Sequence, residues 1–152
     1  MCHASSPNLA MNAPDDRPRR ICPDSNILIS ALVFGGNPLR LMEMAVSSEI
    51  AFFISDAIFK ETIRVLRDKF GLSAERMARA EEFINGCTER VNPKNTVDLV
   101  REDPDDNRVL ECAEAAGCEA IITGDLDLLR LGKYGEIRIV TVRAFLDQRT
   151  TE

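Results

Sequence analysis

Four acidic residues, Asp24, Glu61, Asp106 and Asp125, stand at or near the points where short apolar runs give way to helical patterns. A carboxylate at the exit of a strand, just before a helix, lies where open α/β sheets place their chemistry. Asp24 ends the run Ile21-Cys22-Pro23 and precedes Ile27-Leu28-Ile29, while Asp125 follows Ala120-Ile-Ile-Thr123 and Gly124. Glu61 comes three residues after Ile58 and four before Val65, a spacing that puts it on the buried flank of a helix. Asp106 precedes Val109 and Leu110 by three and four residues, which turns it toward the face that packs on the sheet.

Each acid also has an ordinary explanation. Asp24 or Ser25 can cap the helix at Ile27, and Asp125 can cap a short helix around Leu126–Leu129. Glu61 can pair on the surface with Arg64, worth ~0.2–0.5 kcal/mol. Asp103 is a good N-cap before Pro104, and acids in a first helical turn gain roughly 0.3–1 kcal/mol each from the helix dipole. The joint order of the four favours one shared site. Carboxylates that converge repel one another unless cations offset them, so the grouping implies Mg²⁺ or Mn²⁺ held by oxygen ligands. The only histidine, His3, lies in the N-terminal tail, which argues against a zinc site containing histidine.

The elements that must position these acids follow from apolar spacing. Strands are expected near Ile21, Phe53, Ile121 and Ile139, with a short one at Glu89–Val91. Helices are expected over Ile27–Phe34, after an Asn37 cap with Pro38 in first position, and after Ser55, with Phe59, Ile63, Leu66 and Phe70 as the core stripe. Another starts at Ser73, another at Asp103 and stops at Gly117, and a terminal one covers Arg143–Arg149. Thr96–Val100 reads equally as strand or turn. Strands alternating with helices predict an α/β/α sandwich on a central parallel sheet with right-handed crossovers. Residues 1–18, rich in Ser, Asn, Pro and Ala, read as a disordered extension, and 19–149 as a single domain.

The chain has 152 residues and a formal charge of −6. That sign argues against a general nucleic-acid coat protein, but not against an enzyme whose acids gather around cations. Five cysteines, an odd number with no C-x-x-C pair, favour a reduced, cytoplasmic setting. No apolar run is long enough to span a membrane, and residues 1–20 lack the apolar core of a secretory signal.

In these motifs the sequence resembles the PIN-domain family, which includes the toxin ribonucleases (VapC-like) of type II toxin–antitoxin pairs. The matching stretches are Asp24-Ser-Asn26-Ile-Leu-Ile-Ser30, Ser55 through Glu61 to Leu66, Asp103-Pro-Asp-Asp106-Asn107 through Ala113, and Ile121-Ile-Thr-Gly-Asp125-Leu-Asp127-Leu-Leu129. The resemblance runs from about Arg20 to Phe145. It implies a metal-dependent ribonuclease acting on single-stranded RNA. Asp24, Glu61, Asp106 and Asp125 would be the catalytic and metal-holding quartet, Asp103 and Asp127 auxiliaries, and Asn26 and Thr123 polar braces. A protein antitoxin and a homodimer are the implied partners. Two departures stand out: Pro23 where an apolar strand residue is usual, and Ser25 in place of the commoner threonine. Arg64, Arg67, Arg76 and Arg79 are the candidates for a local basic rim along RNA. The rival readings are a non-catalytic PIN-like module that binds RNA or protein, and an aspartyl-phosphate phosphotransferase with Asp24 as nucleophile. The second lacks its usual acid two residues on, where Asn26 stands.

If the quartet converges on a divalent ion, that ion stabilises the folded chain by mass action. The melting midpoint is expected to rise on saturation with Mn²⁺ and return in EDTA; an unchanged midpoint would speak against a cation site.

Overall fold

The computed structural model describes residues 18–100 and 103–151, so the expected extension over residues 1–18 lies, apart from Pro18, outside the described residues. Strand β1 (Arg19–Pro23) is followed by helices α1 (Ser25–Phe34) and α2 (Gly36–Val46) and strand β2 (Ile50–Ser55). Helices α3 (Asp56–Asp68) and α4 (Ala74–Cys87) form the next crossover and lead to β3 (Thr88–Val91). Helix α5 (Pro104–Ala116), β4 (Ala120–Ile122), α6 (Leu126–Leu131), β5 (Lys133–Tyr134), β6 (Ile137–Val140) and α7 (Val142–Thr151) complete the order.

The sheet runs β3-β2-β1-β4-β6-β5, parallel throughout except for β5 against β6. The short antiparallel edge strand was not anticipated: Lys133-Tyr134 has too little apolar pattern to signal a strand. Chain order moves outward from β1 to β2 to β3, then jumps back to β4 and on to β6. Right-handed crossovers therefore put α1–α4 on one face and α5 with α6 on the other. The reversal falls between β1 and β4, so a crevice opens at their carboxyl ends.

Pro23 fits this centre. It stands opposite Ile122 on β4, and the next amide, Asp24 N–H, donates to Ile122 O at 2.9 Å. Backbone groups alternate sides along a strand, so the N–H that proline lacks would have faced β2. On that side the pairing already ends at Ile21 opposite Phe52. The proline thus marks a local, one-sided end of pairing.

Two local expectations are corrected. No side chain caps α2, and Asn37 lies inside its first turn; the helix starts at Gly36 after Gly35, whose φ of 76° and ψ of −131° bend α2 by 104° from α1. In α3 the buried stripe is Ile58, Thr62 and Leu66, while Phe59 and Ile63 are only partly covered. Thr62 is accommodated because its hydroxyl donates to Ile58 O at 2.8 Å. Ser55 and Ser73 do cap α3 and α4, accepting from Ile58 N–H and Arg76 N–H.

The core joins Ile21, Phe52, Ile54 and Ile121 of the sheet to Leu28, Leu41, Met42, Leu110 and Phe145 of the helices. A second cluster, Ile29, Leu66, Met77 and Ala80, lies between α1, α3 and α4. Among the described residues no single helix is long and apolar enough to cross a membrane. Cys22, Cys87, Cys112 and Cys118 are free and buried. Burial pushes the Cys118 thiol up to about 12, which keeps it an inert thiol.

The corner at Gly35 generates a test. An alanine there would meet only Leu39 Cδ2, at an ordinary 3.8 Å, so its penalty is backbone strain at a conformation open mainly to glycine. Gly35→Ala is expected to lose about 1–3 kcal/mol, read as a lower urea midpoint at unchanged slope.

Candidate active site

Two central strands deliver the first pair of acids. Asp24 follows β1 and occupies the N-cap position of α1, yet its side chain makes no capping bond. Instead Thr123, at the exit of β4, donates to Asp24 Oδ2 at 2.8 Å and accepts from the Asp125 N–H at 2.9 Å. One buried hydroxyl thereby locks the acids of both strands at the crevice. Asp125 does both jobs considered for it. Its Oδ1 caps α6, accepting from Asp127 N–H at 2.8 Å and Leu128 N–H at 3.3 Å. The same carboxylate faces Asp103 and Asp106: the three can each offer an oxygen such that all three lie within 4.8 Å of one another.

Helices α3 and α5 bring the rest. Glu61, half-buried in the second turn of α3, accepts from Ser25 Oγ at 2.8 Å. Ser25 stands 3.4 Å from Asp24 Oδ1, too long to match the Glu61 bond, and a hydroxyl has one proton to give. Ser25 therefore braces Glu61 beside Asp24. Asn26, the next residue along α1, is exposed. Asp103 caps α5 through Asp105 N–H at 3.2 Å. Asp106 is 3% exposed, and its Oδ2 has no hydrogen-bond partner.

The electrostatics match this crowding. Burial, and then the neighbouring Asp125 and Asp103, push the Asp106 carboxyl up to about 8. Burial raises Glu61 to about 7, against the Ser25 bond, with Asp105 and Asp24 adding to the rise. Burial also raises Asp24, opposed by the Thr123 hydroxyl and then by the backbone N–H of Ser25. Asp105, in the first turn of α5, acts on Glu61, whereas its neighbour Asp106 acts with Asp125 and Asp103.

Other candidates fall outside this group. Asp127 is drawn to Arg130 at 2.6 Å. Arg67 pairs with Asp68 at 2.8 Å and Arg79 with Glu75 at 2.6 Å, all well exposed. Arg76 and Arg79 do not border the acids. They line a cleft of about 260 Å³ with Leu32, Leu72, Ala80 and Phe83. Arg64 is exposed on α3, one turn beyond Glu61.

The donor set suits a hard divalent cation. Oxygen ligands only, no histidine, and a buried carboxylate oxygen with no partner are what Mg²⁺ or Mn²⁺ takes. Without a cation, the same oxygens can be kept together only by protonation.

A mostly parallel α/β sandwich with carboxylates at its switch point defines a class of acidic-site proteins, and sequence comparison narrows it. A profile of the PIN domain matches residues 20–127. The chain belongs to the PIN-domain family. Comparison with curated protein sequences gives no match. Among solved structures, a chain from the crystal structure of VapBC2 from Rickettsia felis, bound to a DNA fragment from their promoter, is similar in fold. Its TM-score is 0.59 at 11% identity, over 80% of this chain and 98% of that one.

Because folding raises the pKa of Asp106 and Glu61, the cation-free folded chain holds protons that the unfolded chain releases above ~4. Stability therefore declines as pH rises from that range through about 7 and about 8. In EDTA the melting midpoint is expected to be lower at pH 8 than at pH 6, and Asp106→Asn is expected to flatten the difference. An equally steep dependence in the variant would place the titration elsewhere. Mn²⁺ competes with these protons, so its stabilising effect is expected to grow over the same interval.

Proposed function

We propose that this protein is a divalent-cation-dependent ribonuclease that hydrolyses phosphodiester bonds of single-stranded RNA, and that it is the toxin of a toxin–antitoxin pair. The observation that carries the reading is the unpartnered, buried Oδ2 of Asp106 among the carboxylates of Asp103 and Asp125. Asp24, Asp106 and Asp125, with Asp103, would hold Mg²⁺ or Mn²⁺, and Glu61 would complete the quartet. Such a cation supplies Lewis-acid polarisation of the phosphoryl group and makes a water molecule more acidic.

The chain's own groups do the rest. Thr123 keeps Asp24 and Asp125 in register. Glu61, steadied by Ser25 at 2.8 Å, can accept the proton that the attacking water loses. Oxygen from water joins phosphorus, the P–O bond to the leaving nucleotide breaks, and the departing oxygen takes up a proton. No side-chain nucleophile is needed. Asp24, buried and tied to Thr123, is badly placed to attack phosphorus, which disfavours an aspartyl-phosphate route. With a net charge of −6, RNA must be held by the cation and nearby bases such as Lys60 and Arg64.

The toxin assignment draws on the family and on the fold shared with a VapBC2 chain. An antitoxin has a suitable surface on α1, α3 and α4. Phe34 is 74% exposed and stacks edge-on with Phe70 at 6.0 Å, near the cleft bordered by Leu32, Leu72, Arg76 and Arg79. The reading includes a cytoplasmic homodimer.

A mixed RNA pool is expected to be cut in Mg²⁺ or Mn²⁺, spared in EDTA, and spared by at least about 100-fold in Asp106→Asn. Mapped fragment ends would show hydrolysis within single-stranded regions. A purified wild-type protein that binds Mn²⁺ yet leaves all RNA intact would support the non-catalytic alternative.

A further inference from the structure

We propose that Asn107 is a positioning residue for the cation site: it clamps the segment Val97–Val100 to α5, the helix that Asp103 caps. The inference rests on the reading of Asp103, Asp106 and Asp125 as cation ligands.

Val97–Val100 is neither strand nor helix, so its backbone polar groups find partners outside the sheet. Asn107 partners three of them. Its Oδ1 accepts from both Leu99 N–H and Val100 N–H at 2.8 Å, and its Nδ2 donates to Val100 O at 2.7 Å. The side chain is 2% exposed. An amide offers acceptor and donor on one short stem, which aspartate, serine or alanine does not reproduce in this arrangement.

The far end of the segment is held as well. Val97 N–H donates to Glu111 Oε2 at 2.8 Å, Val97 O accepts from Arg108 at 3.0 Å, and Arg108 and Glu111 pair at 2.9 Å. Helix α5 therefore carries two sets of side chains. One, Asp106 with its cap Asp103, faces the crevice; the other, Asn107, Arg108 and Glu111, grips the chain that arrives there.

Asp103 needs that grip. It sits beside the like charges of Asp106 and Asp125, and repulsion favours its swinging away. Its own ties are local ones at the start of α5: Oδ1 to Asp105 N–H at 3.2 Å and its carbonyl to Asp106 N–H at 3.0 Å. With Val100 pinned to the helix that Asp103 caps, the start of α5 is held and the carboxylate has fewer conformations to lose on meeting a cation. Residues that orient metal ligands typically cost 10–100-fold in metal affinity when removed.

The test is Mn²⁺ binding by calorimetry, in the full chain, for wild type, Asn107→Ala, Asp103→Asn and the double variant. Asn107→Ala is expected to weaken binding by about tenfold, and the double variant to lose less than about twofold beyond Asp103→Asn alone, because both act through one ligand. Equal affinity in wild type and Asn107→Ala, or fully additive losses, would overturn the inference while leaving the cation site standing. A wild type that binds no Mn²⁺ would overturn the site itself and this inference with it. Hydrogen exchange covers the case in which Asn107→Ala does not fold. Mn²⁺ is expected to slow the Leu99 and Val100 amides in wild type and not in Asp103→Asn. Amides indifferent to Mn²⁺ in a wild type that binds it would count against the coupling.

Discussion

Repulsion between carboxylates held in a half-buried crevice is the constraint on which the rest of this structure depends. Asp24, Glu61, Asp103, Asp106 and Asp125 come from elements far apart in the chain, and burial makes their charges harder to bear than in water. Two hydroxyls hold the arrangement. Thr123 bridges Asp24 and the Asp125 amide; Ser25 ties Glu61 beside Asp24. Each eases one carboxylate through a single bond, and neither carries the positive charge that would offset the crowding as a whole. Relief is left to protons or to a cation, and this is the physical basis for reading the crevice as a site rather than as a set of helix caps.

The fold makes such crowding possible. The switch between β1 and β4 leaves a gap at the carboxyl ends that neither set of crossover helices covers. Helix α3 reaches it from one face and α5 from the other, each presenting an acid in its first two turns. The sharp corner at Gly35 folds α2 back, and the second apolar cluster then seats α1 against α3, which brings Ser25 and Glu61 within bonding distance.

Charge and apolar surface are divided between regions. The acids concentrate at the crevice, whereas Phe34, Phe70 and the cleft with Arg76 and Arg79 lie on the helices of one face. An apolar patch edged by arginines suits contact with a protein that carries acidic and apolar groups better than it suits a polyanion alone. The basic residues of α3 and α4 separate: Arg64 lies one turn from the α3 acid, and Arg76 and Arg79 line the cleft with Leu32 and Phe83.

The sequence by itself determined the family, the α/β class and the order of the main elements, because these are written in local periodicity and in short motifs. Ile21–Asp24 and Ala120–Asp125 show their strand ends directly, and Ser55, Ser73 and Asp103 show their caps, since a cap depends only on neighbouring residues. The tertiary structure decided what depends on contact between distant residues. Ser25 rather than Asn26 turns inward, because the start of α1 sets which side of the helix meets α3. Asp105 and Asp106, adjacent in the chain, face different partners for the same reason. Asn107 was visible only as part of a motif; its hold on Val97–Val100 appears once a segment with no sheet or helix of its own lies against α5. Periodicity says which face of a helix is buried, but not against what, and the chemistry of this crevice lies in that second question.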